Sequence, residues 1–129
     1  MAALNNTVDS KILIVDDNQN AVAAMSDLLK MQGFSIRTAQ NGLEALNDIK
    51  TDDHISLVLL DLWMPVMDGW EFLRRKRSDP RIAEIPVVVI SAVSSDPLDG
   101  VETVLGKPVH LEKLVDTIRC HVLNKAASP

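Results

Sequence analysis

Apolar residues along this chain fall into two kinds of run. Lys11–Val15 (KILIV), Ile55–Leu60 (ISLVLL) and Pro86–Ile90 (PVVVI) are short, almost unbroken and rich in β-branched side chains. That is the pattern of strands covered on both faces, as in a parallel sheet. Phe34–Ala39 and Val101–Leu105 are weaker runs of the same kind. The other runs repeat at helical spacing. Val22, Met25, Leu28 and Leu29 follow a cap at Asp17 or Asn18 and stop at Gly33. Leu43, Ala45, Leu46 and Ile49 follow the Asn41-Gly42 turn. A third helix is predicted from Trp70 to about Ser78, closed by Asp79-Pro80. Leu111, Leu114, Val115, Ile118 and Val122 make the stripe of a last helix. Strands alternating with helices in this way predict an α/β domain with a central parallel sheet and helices on both faces.

Ligands of such sheets bind beyond the carboxyl ends of the strands, so those ends are where chemistry is expected. Asp16 and Asp17 follow the first strand, Asp61 the third, Ser91 the fourth, and Gly106-Lys107-Pro108 the fifth. Three carboxylates brought together repel one another, so one of them is protonated more readily than usual or a cation is held. Their hard oxygens suit Mg2+. Lys107 adds a point charge for an anion, and Ser91 a hydroxyl that donates to an oxyanion. The set fits a carboxylate that accepts a phosphoryl group.

Composition narrows the setting. The 129 residues are enough to bury a core as one domain. We read 10–124 as that domain, 1–9 as an N-terminal tail and 125–129 as a C-terminal tail or the start of a linker. The net charge of −5 argues against direct nucleic-acid binding. No apolar run approaches the roughly 18–20 residues of a membrane span, and no secretory leader is visible. The single cysteine, Cys120, excludes an internal disulfide framework. A cytoplasmic location is therefore expected. His54, His110 and His121 show no zinc-ligand spacing. Arg74, Arg75, Lys76, Arg77 and Arg81 form a basic cluster, read first as a solvated face and second as a contact for an acidic partner.

Four motifs in order, ILIVDDN (Ile12–Asn18), LLDLWMPVMDGWEFL (Leu59–Leu73), PVVVISA (Pro86–Ala92) and GKP (Gly106–Pro108), resemble the receiver domains of two-component response regulators. The resemblance covers roughly residues 10–123. It implies a flavodoxin-like fold with strand order 2-1-3-4-5. It implies that Asp61 is the phospho-acceptor, that Asp16, Asp17, Asp61 and the backbone carbonyl of Trp63 hold Mg2+, and that Lys107 and Ser91 contact the phosphoryl group. The Lys107-Pro108 bond is expected to be cis. The implied partner is a histidine kinase or a histidine phosphotransfer protein, docking on Gln19–Val22 and the loop at Pro108–Val109. A homodimer is a second candidate assembly. Such a domain takes up and slowly loses its own phosphoryl group without being a turnover enzyme, and is expected here as a stand-alone regulator or a piece of a longer protein.

Two positions depart from the family pattern. Val104 stands where relatives carry an aromatic residue that turns inward as a switch. Only nine residues, AVSSDPLDG, separate Ser91 from Val101. A crossover with its helix needs about 10–12 residues, so the fourth helix is expected to be missing or much shortened. One alternative reading is a receiver-like binding module that signals without phosphate. A more remote one is an aspartyl-phosphate phosphohydrolase of the haloacid-dehalogenase type. The latter needs a second aspartate two positions after the nucleophile, where this chain has Trp63.

Overall fold

A computed structural model describes residues 10–91 and 101–127 of the chain. The elements in order are β1 (Lys11–Val15), α1 (Gln19–Met31), β2 (Ser35–Ala39), α2 (Gly42–Thr51), β3 (Ile55–Leu60), α3 (Gly69–Arg77), β4 (Val87–Ser91), β5 (Thr103–Gly106) and α4 (Leu111–Ala127). The five strands form one sheet in the order β2-β1-β3-β4-β5, every neighbouring pair parallel. The expected doubly wound, flavodoxin-like order is therefore present. The expectation of a missing fourth helix falls on residues 92–100, which lie outside the described residues.

The unbroken apolar strands feed two cores. Because side chains alternate across a strand, Leu13, Val15, Val58, Leu60, Val87 and Val89 face one side. There they meet Ala45, Leu46 and Ile49 of α2 and Phe72 and Leu73 of α3. Ile12, Ile14, Leu57, Leu59, Val88 and Ile90 face the other side, against Leu29 of α1 and Leu114, Val115 and Ile118 of α4. The centre of the sheet is sealed on both faces, so its backbone is held firmly and its strand ends are fixed points.

The caps are the ones the local sequence encodes. Asn18 Oδ1 accepts from Ala21 N at 3.1 Å, so Asn18 rather than Asp17 is the cap of α1. Asn41 and Asp68 cap α2 and α3 in the same way. Gly33 ends α1 with φ of 95°, a left-handed conformation that glycine adopts without strain.

Several sequence expectations shift. β2 begins at Ser35 rather than Phe34, and β5 runs Thr103–Gly106 rather than 101–105. Leu28 and Leu43, counted in the apolar stripes, are exposed, because each lies at the margin of a stripe that its helical neighbours already fill. Lys76 does not belong to a solvated basic face. It is 2% exposed, on the same side of α3 as Phe72 and Leu73, and its Nζ donates to the Ala83 carbonyl at 2.9 Å. Its long apolar stem packs while the ammonium reaches a polar partner. Among the described residues, no helix is long and apolar enough to cross a membrane.

Candidate functional site

The carboxyl edge of the sheet carries the chemistry, and hydrogen bonds that continue the ladders past the strands hold it there. Asp16 N donates to Ala39 O at 3.1 Å, Asp61 N to Val15 O at 2.9 Å, and Lys107 N to Ser91 O at 3.0 Å. Each residue that follows a strand is thus tied to its neighbouring strand. The side chains of Asp16, Asp17 and Asp61 converge, each offering a carboxylate oxygen within 4.8 Å of the other two. Lys107 Nζ stands 3.6 Å from Asp16 Oδ2 and 3.7 Å from Asp61 Oδ1.

The electrostatics follow from that crowding. Burial pushes the Asp61 carboxyl above its ordinary value, the Lys107 ammonium pulls it down, and the Asp16 and Asp17 charges push it up. A backbone N–H of Trp63 also donates to Asp61. Among the described residues, three carboxylates share one ammonium, a surplus of negative charge that a divalent cation would offset. The donor set, three hard oxygens with Asp17 exposed to incoming ligands, fits a small cation such as Mg2+ that keeps part of its hydration shell.

Two sequence-derived residues sit at the edge of this group. Ser91 ends β4, beside β3, and is 2% exposed. Pro108 follows Lys107 through a cis peptide bond. Val104 is elsewhere. It lies on β5, pairs with Val89 of β4 and packs against the core under α2 and α3. Trp63 is 60% exposed, and its ring meets the Trp70 ring edge-on at a centroid separation of 4.7 Å.

Sequence reasoning missed three features here. Asp16 has a second task, because its Oδ1 accepts from Asn18 N at 2.9 Å and so shapes the entry to α1. The Asp-x-Asn spacing is the local signal for that turn. Gly69 lets α3 start hard against the site, since a Cβ there would stand 2.7 Å from Leu62 Cα and 2.9 Å from Asp61 O. A cavity of about 500 Å³ also opens beside Asp61 and Lys107, lined by Ile14, Val22, Met25, Ile90, Pro108 and Val109 among others. The docking surface expected at Gln19–Val22 and Pro108–Val109 overlaps its lining, but the linear pattern does not announce a cavity, because its walls come from α1, three strands and the turn after β5.

Comparisons with known proteins bear on the family and the fold. The family model described as "Response regulator receiver domain" matches residues 12–119. A transcriptional regulatory protein, a CpxR homolog of Haemophilus influenzae, is 36% identical over 93% of this chain and 53% of its own. The chain thus spans about half the length of that relative. Among solved structures, a two-component response regulator from Clostridium difficile aligns over 92% of this chain and 99% of its own, with a TM-score of 0.80 and 26% identity. The response regulator TrrA of Thermotoga maritima, solved in complex with Mg2+-BeF, aligns over 86% of this chain and 97% of its own, with a TM-score of 0.76 and 26% identity.

Proposed function

The chain belongs to the response-regulator receiver family of two-component signalling, and from that premise we propose that it takes a phosphoryl group onto Asp61 from a phosphohistidine of a partner histidine kinase or phosphotransfer protein. In that step an Asp61 oxygen attacks phosphorus, the O–P bond forms as the N–P bond breaks, and the imidazole leaves and takes up a proton. One observation carries the reading. The carboxylate at the end of β3 lies within 4.8 Å of two further carboxylates and 3.7 Å from an ammonium, at the carboxyl edge of a parallel sheet.

The remaining roles follow from placement. Asp16, Asp17, Asp61 and the Trp63 carbonyl would hold Mg2+. When bound, the ion supplies charge neutralisation for the incoming phosphoryl oxygens. Lys107, between Asp16 and Asp61, pairs with the carboxylate before transfer and with the phosphoryl group after it. Ser91 offers its hydroxyl to a phosphoryl oxygen. The cavity between Val22 of α1 and Pro108–Val109 would receive the donor side chain. That the Thermotoga relative was solved in complex with Mg2+-BeF supports the assignment. The chain accepts and loses phosphate itself and does not turn over a pool of substrate.

Val104 favours a second reading, a receiver-like module that signals without phosphate, because it has no ring to turn inward. Acetyl phosphate with Mg2+, read by intact mass, separates the two. The expected result is a single phosphoryl adduct that vanishes on Asp61→Ala and on chelation of the metal. No adduct on the native chain would leave only the second reading.

A further inference from the structure

Helix α3 divides its residues sharply. Gly69, Phe72, Leu73 and Lys76 are buried, while Trp70, Arg74, Arg75 and Arg77 are exposed. Trp70, Arg74 and Arg77 stand at i, i+4 and i+7, so they line one stripe. The Trp70 ring, 40% exposed, leans on the still more exposed Trp63 ring, and the two form an aromatic knob at the head of the helix. Phe72 and Leu73 already fill the core side, so packing does not require Trp70. The helix also buries its lysine and exposes its arginines. Trp and Arg are the residue types enriched at interface hot spots, and Lys is depleted there.

The charge of the face says what fits it. Among the described residues of this face, the Arg74 and Arg75 guanidiniums share one carboxylate, Glu71, on a chain whose net charge is −5. Glu71 accepts from Arg74 and from Arg75 Nε, the latter at 2.7 Å, which orients both arginines along the helix. Those bonds still leave guanidinium N–H groups for an outside acceptor, since each fork carries five donors. A nucleic acid is the weaker fit, because the rest of the molecule would repel its phosphates.

We propose that the exposed face of α3, headed by the Trp63–Trp70 pair and lined by Arg74 and Arg75, docks an acidic polypeptide segment that carries a large apolar side chain. The apolar side chain seats on the indole pair and the flanking carboxylates meet the guanidiniums. Trp63, Trp70, Arg74 and Arg75 do not line the cavity assigned to the phosphoryl donor.

The test uses a display library of short random peptides selected against the whole chain. The expected result is enrichment of sequences with Asp or Glu around an aromatic or aliphatic residue. Their binding should weaken at least ~10-fold on Trp70→Ala and on Arg74→Glu, with the circular dichroism spectrum and phosphoryl uptake from acetyl phosphate unchanged. Because Trp63 and Trp70 are the only two tryptophans, saturating peptide should also shift the intrinsic fluorescence. Peptides without acidic bias, peptides that bind both variants equally, or tighter binding of a single-stranded RNA oligonucleotide would each overturn the proposal. So would self-association, seen by sedimentation, that either variant abolishes. Asp61→Asn should keep peptide binding while losing phosphoryl uptake, so failure of this proposal and failure of the phospho-acceptor assignment are told apart.

Discussion

At Val66 the backbone takes φ of 70°, and Met67 N donates to Pro65 O at 2.8 Å to close a three-residue γ-turn. A β-branched residue is strained in that region, at a cost of about 1–3 kcal/mol. Its side chain is 78% exposed and so gains little from packing. Val66→Asn should therefore stabilise the fold by ~1 kcal/mol, read as a raised urea midpoint with unchanged slope. Three residues on, the space is the constraint. Gly69→Ala must push its Cβ against Leu62 Cα and Asp61 O, which are backbone atoms and do not yield easily. The expected loss is about 1–2 kcal/mol, after the helix preference of alanine is set against it. That a helix starts beside Asp68-Gly69 was legible, since the predicted one begins at Trp70. The reason glycine is needed was not, because the obstructing atoms belong to the preceding loop.

The elements α2, β1 and β2 share a charge network that no motif announces. Lys11 and Arg37 both reach Asp52 Oδ2, at 2.8 and 3.1 Å, and Arg37 reaches Asp48 Oδ1 at 2.8 Å. The Lys11 hydrogen bond, reinforced by the His54 N–H and by Arg37, lowers the Asp52 carboxyl from 3.8 to about 2. A lowered folded value means stability that is whole above the unfolded value and is lost as pH falls from about 4 towards 2. Lys11 and Arg37 are partly exposed, so solvent screening reduces the contribution to the order of 1 kcal/mol. Asp48 acts with the opposite sign. Burial raises it against the pull of Arg37, so protonation favours its folded form and offsets part of the acid loss. Unfolding by urea at a series of pH values should show a steeper fall between pH 4 and 2 in the native chain than in Asp52→Asn. At this scale the sequence showed a short helix with Leu43, Ala45, Leu46 and Ile49 at helical spacing. It did not show that two of its aspartates turn inward, since an Asp at a helix end is normally solvated.

At the scale of the whole molecule, the sheet brings four residues to one edge. Parallel strands β1, β3, β4 and β5 all end on that edge, so residues 16, 61, 91 and 107, far apart in the chain, leave the sheet together. Surplus negative charge there weakens the fold until a cation offsets it. Mg2+ that binds the folded chain and not the unfolded one should raise the melting temperature, by the equivalent of about 1.4 kcal/mol at ten times its dissociation constant. Asp17→Ala should abolish that gain in differential scanning calorimetry. An equal gain in the variant would place the metal elsewhere.

The sequence by itself determined the element types, the parallel doubly wound architecture and the identity of the acidic and basic residues at the strand ends. Burial on both faces and helical spacing are local demands, and each leaves a period that can be read along the chain. Tertiary structure alone decided that Lys76, Asp48 and Asp52 lie inside, that Trp63 and Trp70 stand outside as a pair, and that Lys107 spans Asp16 and Asp61. A period marks which side of an element is covered, but the covering atoms come from distant segments, and distances between charges exist only once those segments have packed.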